Sequence, residues 1–177
     1  MEISGNKIII RKYRDEDAPK LFAAAIESID HMREFMPWCH AEYSIEDSHL
    51  WVKSRNERWE SGQEYSFIIC SKKTGGFLGG IDINQINFGH KIGNIGYWVR
   101  KSALKQGVAT EAVSLISMFG FESLKLNRLE IVILPNNLAS IKLAEKCGAS
   151  FDGILRKRLV VYGKAKDACM YSMVSRA

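Results

Sequence analysis

The spacing of apolar residues changes several times along the chain, and each change marks an element. Lys7 to Tyr13 is short and rich in β-branched residues, which predicts a strand. Asp15, Asp17 and Pro19 then start a helix, with acids and a proline in its first turn. Leu21, Phe22, Ala25 and Ile29 follow at helical spacing. His31 to Trp38 reads as a second short helix stopped by Pro37. Ser44 with Asp47 three residues on resembles a capping box, opening a helix that carries Leu50, Trp51 and Trp59 up to Gly62.

Beyond Gly62 the pattern becomes that of strands. Tyr65 to Cys70 and Phe77 to Ile86 flank the turn Lys72 to Gly76, which predicts a hairpin. Ile92 to Val99 is a further strand containing Gly93 and Gly96, where a bulge or a close backbone approach is expected. Gly107 opens a long helix to Phe121, with Val108, Ala112, Leu115, Ile116 and Phe119 on its apolar face. Arg128 to Leu134 is a buried strand broken by Pro135 and Asn136, and Leu138 to Cys147 is a helix ended by Gly148. Phe151 to Val161 and Lys166 to Val174 close the chain as a hairpin turned at Gly163. The order is strand, helices, three strands, helix, strand, helix, two strands. It predicts an α/β or α+β fold on a mixed sheet.

Composition narrows the function classes. The chain has 177 residues, 46% of them hydrophobic and 25% charged, which are globular proportions. No linker, repeat or low-complexity tract divides it, so one domain over 1–177 is expected. The net charge of +5 is spread along the chain apart from Arg156 to Arg158, which reads as solubility rather than a nucleic-acid footprint. Cys39, Cys70, Cys147 and Cys169 form no C-x-x-C pair, and the four histidines are scattered, so no metal site is expected. Reduced thiols, no apolar leader and no run of 18 apolar residues point to a cytoplasmic protein that does not cross a membrane.

Two segments carry candidate chemistry. Tyr97-Trp98-Val99 is followed by ALKQGVATEA, Ala103 to Ala112. A strand, a glycine-containing turn and a helix start together offer free N–H groups and a favourable dipole to an anion. Gln106, Gly107, Val108, Ala109 and Thr110 are placed to cradle a pyrophosphate, with Lys105 nearby, although an ordinary strand-to-helix turn has the same outline. Neither G-x-G-x-x-G nor a Walker lysine is present, which excludes the common nucleotide loops. The second segment is Asn137-Leu138-Ala139-Ser140, where Asn137 and Ser140 read first as a helix N-cap.

Taken together, the segments resemble the GCN5-related N-acetyltransferase (GNAT) superfamily, and within it the RimJ/RimL-type branch of ribosomal-protein N-terminal acetyltransferases. The resemblance rests on IIIRKYRDEDAPKLF at the start, FMPW at 35–38, FLGGIDI at 77–83, IGYWV at 95–99, KQGVATEA at 105–112, NRLEI at 127–131, NNLASIKLAEKCGA at 136–149 and FDGILR at 151–156. These features fall in family order and cover nearly the whole chain.

That resemblance implies a mixed sheet whose fourth and fifth strands, 92–99 and 128–134, splay apart to admit the pantetheine arm of acetyl-CoA. The arm would pair with the backbone near Trp98, Val99 and Arg100, and Asn137 and Ser140 would lie beside it. An amine would attack the thioester directly, the N–H of Val99 would stabilise the oxyanion, and Ser140 or water would protonate the leaving thiolate. Four departures matter. Leu104 and Lys105 replace the usual Gln or Arg and Gly, Ala144 replaces a frequent Tyr acid, and Asn94 replaces a Glu before IGYW. A left-handed backbone at Lys105 would cost about 1 kcal/mol.

Asp82 and Glu111 remain as candidate bases, each also readable as a solvated end residue. An α-amine, with a pKa of about 7.7–8.0, is neutral in roughly a fifth of molecules near neutral pH, whereas a lysine amine is neutral in about one in a thousand. The weak base machinery therefore suits a protein N-terminus as acceptor. A small amine is the alternative, and a non-catalytic CoA- or RNA-binding module is a third reading. Direct nucleic-acid contact is not expected, and a homodimer is allowed.

Overall fold

The computed structural model describes residues 1–175. Eight strands form one sheet in the order β1-β2-β3-β4-β5-β6-β8-β7. They are β1 (Glu2–Ser4), β2 (Ile8–Lys12), β3 (Tyr65–Ser71), β4 (Phe77–Asn87), β5 (Ile92–Val99), β6 (Arg128–Ile133), β7 (Ser150–Val161) and β8 (Lys164–Val174). All neighbours are antiparallel except β5 and β6. The helices are α1 (Ala18–Met32), α2 (Ile45–Glu60), α3 (Val108–Met118) and α4 (Leu138–Lys146).

Both faces of the sheet are covered, which explains why Phe67 to Cys70 of β3 form an unbroken apolar run. Phe67 and Ile69 point to one face and pack with Ile81, Ile83 and Ile95 against Val108, Ala112 and Ile116 of α3 and against Phe119 just beyond it. Ile68 and Cys70 point to the other and meet Leu21, Ala24, Ala25 and Met32 of α1, Val52 of α2, and Trp98. The same alternation puts Ser66, Gly80, Asp82, Gly96 and Trp98 on the α1–α2 face.

The sequence-based elements hold, with local corrections. Residues 31–38 do not form a second helix. His31 and Met32 are the last turn of α1, and the chain then leaves it in turns closed by Phe35 N–H and Met36 N–H on Met32 O. Pro37 has no N–H to continue a helix, and Trp38 instead packs against Trp51 and Trp98. Strand β1, which the apolar pattern did not mark, pairs with β2. The closing hairpin turns at Tyr162 and Gly163, both with positive φ (49° and 71°), so β8 starts at Lys164 rather than Lys166. After Met118 the long helix continues as a π-turn, Phe119–Ser123.

The expected bulge in β5 is absent. The irregularity lies on its partner, between Asn84 and Asn87. Gly93 and Gly96 answer to close packing instead. A Cβ at Gly96 would lie 3.0 Å from the Asp82 carboxylate, and one at Gly93 would strike Ile83 at 2.7 Å.

Candidate active site

The site begins where two strands part. β5 and β6 pair only at Ile92↔Arg128, Gly93↔Leu129 and Asn94↔Glu130, so Ile95 to Val99 lack a partner on that edge. On its other edge β5 is fully paired with β4, from Gly79↔Val99 onward. Arg100 N–H donates to Leu78 O. In this register Gly79 and Val99 are a pair that exchanges no hydrogen bonds, so the N–H and C=O of Val99 face the gap. His31 Nε2 lies 3.3 Å from Val99 O, on the gap side. The Trp98 backbone is directed at β4, and its indole instead forms part of the cavity wall.

A cleft of about 610 Å³ runs through this gap. Its walls include Tyr97, Trp98 and Val99 of β5, His31 and Met36 from the α1 end, Lys105 and Gly107 to Thr110, and Asn137 and Ser140 of α4. At one end lies the start of α3. Gly107 is its N-cap at φ 82°, and no side chain caps the helix. The first intrahelical bond is Glu111 N–H to Gly107 O, which leaves the N–H groups of Val108, Ala109 and Thr110 without a helical acceptor beside the cleft. Lys105 is held at φ 59°, the left-handed backbone that a glycine would take without cost. Bare amides at one end and an unpaired strand edge along the wall fit a diphosphate and an amide-bearing arm.

Three sequence candidates are turned away from the cleft. Arg100 lies against α1, where its guanidinium donates to Glu27 (Nε 3.1 Å) and to Phe77 O at 3.1 Å. Glu27 also accepts from Ser102 N–H at 2.6 Å, and Ser28 Oγ accepts from Lys101 N–H at 3.0 Å, so α1 grips the loop leading to α3. These donors hold the Glu27 carboxyl down at about 2. Gln106 folds back, its amide donating to Ser102 O at 2.8 Å. Glu111 points to the β1–β2 turn, where it accepts from Lys7 N–H at 3.0 Å. That contact, and the place a Gly5 Cβ would take beside its carboxylate, remove Glu111 as a base for this cleft. Asn137 Oδ1 accepts from Ser140 N–H at 3.2 Å, so the cap reading holds, and both residues line the cleft as well.

Asp82 lies on the far side of β5. A second cavity of about 150 Å³ is bounded by Asp82, Ser66, Gly80, Tyr13, Trp38 and Trp51, and it shares Met36, Tyr97 and Trp98 with the cleft. Asn84 donates to the Asp82 carboxylate. Enclosure by protein, and then the neighbouring Glu64 carboxylate, push the Asp82 carboxyl up to about 7 against the opposing pull of Asn84 and Arg55. Glu64 is buried, held by Arg55 at 2.6 Å and Arg58 at 3.1 Å, and accepts from Ser66 Oγ. Tyr97 bridges the gap toward Ser140 O at 3.5 Å, and burial raises its hydroxyl to about 12. The sequence alone did not single out His31 at the gap, whereas Tyr97 stands in the candidate segment Tyr97-Trp98-Val99. For Tyr97 a signal existed, since it directly precedes the strand end that must open.

Among the described residues no cluster of His, Cys, Asp or Glu is arranged to hold a metal, and no helix is long and apolar enough to cross a membrane. The acetyltransferase (GNAT) domain model matches residues 7–150. The probable N-acetyltransferase YjcK of Bacillus subtilis is 30% identical over 93% of this chain and 92% of its own. The ribosomal-protein-serine acetyltransferase of Escherichia coli is 24% identical over 81% and 79%. Among solved structures, the ribosomal L7/L12 α-N-protein acetyltransferase RimL in complex with coenzyme A superposes with a TM-score of 0.89 at 18% identity, covering 98% of each chain. With its mixed sheet, its parted strands and this match over most of its length, the chain belongs to the GNAT family of N-acetyltransferases.

Proposed function

We propose that the protein transfers acetyl from acetyl-CoA to the α-amine of a protein N-terminus, with Asp82 as the base. Acetyl-CoA supplies an acyl thioester, and the chain does the rest by holding, orienting and moving one proton. The N–H groups of Val108, Ala109 and Thr110 face the diphosphate, and Lys105 adds charge at the same end. The exposed edge of β5 takes the amide-bearing arm. The Val99 N–H is directed into the gap, where charge develops on the acyl oxygen. The Tyr97 hydroxyl, directed at Ser140 O across the gap, orients the end of the arm. Ser140 or water serves the leaving sulfur.

The observation that carries the reading is the meeting of two cavities at Tyr97 and Trp98, with a carboxylate near 7 on the acceptor side. A base poised there is ionised in a large fraction of molecules at working pH and is strong enough to take a proton from an α-amine. Relatives that carry the names of ribosomal-protein acetyltransferases support the protein acceptor. The small inner cavity supports a second reading, a free small amine. A cytoplasmic setting agrees with the four free cysteines.

The test is thiol release from acetyl-CoA with peptide and small-amine acceptors, followed across pH. After correction for the acceptor's own ionisation, kcat/KM should climb to a plateau above about pH 7. Asp82→Asn should lose that limb and about 10²–10⁴-fold in rate. A variant that keeps the wild-type rate and profile would refute Asp82 as the base. A rise in kcat/KM from a single amino amide to a longer peptide favours the protein acceptor.

A further inference from the structure

We infer that the cavity beside Asp82 is a subsite for an uncharged carbonyl oxygen, so that the enzyme selects amines whose α-carbon carries an amide or peptide group. The inference rests on the reading of Asp82 as the group that meets the acceptor amine, and it adds what must stand next to that amine.

The cavity wall is rich in donors. The Tyr13 hydroxyl and the Trp98 indole nitrogen converge over Gly80, where a Cβ would lie 2.7 Å from one and 2.8 Å from the other. Gly80 has no strained backbone to explain it. Its missing side chain lets both donors close over the strand backbone at this point. Trp51 adds a third polar group, a buried indole N–H with no acceptor beyond the Tyr13 hydroxyl. It lies beside the Tyr13 hydroxyl, which burial keeps protonated well above its ordinary range. A ligand oxygen placed between these donors would accept from them where the protein supplies no other acceptor.

The charges decide which oxygen. Asp82 faces the cavity, and Glu64 lies behind Ser66, which pairs with Asp82 across β3 and β4. The two nearby cations, Arg55 and Arg58, are both committed to Glu64. A free amino acid would therefore set its carboxylate against two acids with no uncommitted cation nearby. A plain alkylamine would leave the indole and phenol donors unsatisfied. A neutral carbonyl two bonds from the amine meets both conditions. Trp38 and Trp51 also wall an outer groove of about 350 Å³, which gives a chain continuing past that carbonyl a way out.

Three acceptors of matched shape test this: alaninamide, free alanine and isopropylamine, compared per neutral amine. The wild-type protein should prefer alaninamide to each of the others by about tenfold or more in kcat/KM. Trp51→Phe and Tyr13→Phe should each remove most of that preference by slowing alaninamide and leaving isopropylamine unchanged. Gly80→Ala should act in the same direction by displacing the Tyr13 and Trp98 donors. Equal rates for isopropylamine and alaninamide in the wild type would overturn the subsite, and so would variants that slow both amines alike. If no amine is turned over, binding of the three to the protein–CoA complex, read by tryptophan fluorescence, decides. A preference for alaninamide there upholds the subsite while the catalytic reading of Asp82 falls. Equal or absent binding overturns it.

Discussion

Asp82 shows how one residue is set by several scales at once. Strand alternation gives it the α1–α2 face, Gly96 makes room for its carboxylate, and Glu64 and burial raise its proton affinity. The same features oppose stability. A carboxyl that titrates near 7 in the fold and near 3.8 when unfolded binds its proton more tightly in the native state. Ionising it therefore penalises folding, not at all below the unfolded value and in full above about pH 7. Asp82→Asn should thus be inactive yet more stable, with a gain about 2 kcal/mol larger near pH 8 than near pH 5.5. Chemical denaturation at the two pH values checks this, and a gain independent of pH would contradict it. Asp82 was legible because it interrupts the apolar strand FLGGIDI. Glu111 was recognisable as a helix-start acid by position, whereas its direction around the axis depends on where the β1–β2 turn lies.

At the scale of elements, the start of α3 and the last turns of α1 form one device. The α3 start was legible, because Gly107 after a strand and before an apolar stripe marks an uncapped helix end. The grip of α1 was not. Glu27 and Ser28 are unremarkable in a helical sequence, and their partners lie more than seventy residues away at Arg100, Lys101 and Ser102. Glu27→Gln removes the charge that orders this loop, so the KM for acetyl-CoA should rise severalfold with kcat at saturation nearly unchanged. Steady-state kinetics at varied acetyl-CoA measure this, and a fall in kcat with KM constant would assign Glu27 elsewhere. The misread helix at 31–38 has a related origin. Apolar spacing around Pro37 suits a short helix, but Pro37 breaks the hydrogen-bond run and Trp38 stacks on Trp51 and meets Trp98 edge-on.

At the scale of the whole molecule, the functional feature is a gap that the fold holds open. Three cross-strand pairs bind β5 to β6, and then the two part, leaving Val99 facing a cleft on one side while Asp82 faces a cavity on the other. Hydrophobic pattern alone predicts both strands and says nothing of their divergence, because pairing between distant segments leaves no local signature. Collinear motifs supplied that expectation, and neither cavity nor their shared wall at Tyr97 and Trp98 could be read before the sheet was assembled. The direct measurement of this arrangement is the change in backbone amide signals by NMR when coenzyme A is titrated into the protein. Val108, Ala109, Thr110 and Val99 should shift together and saturate with one affinity, while amides on the β7–β8 hairpin stay still. Binding that leaves those four amides unmoved would contradict the account.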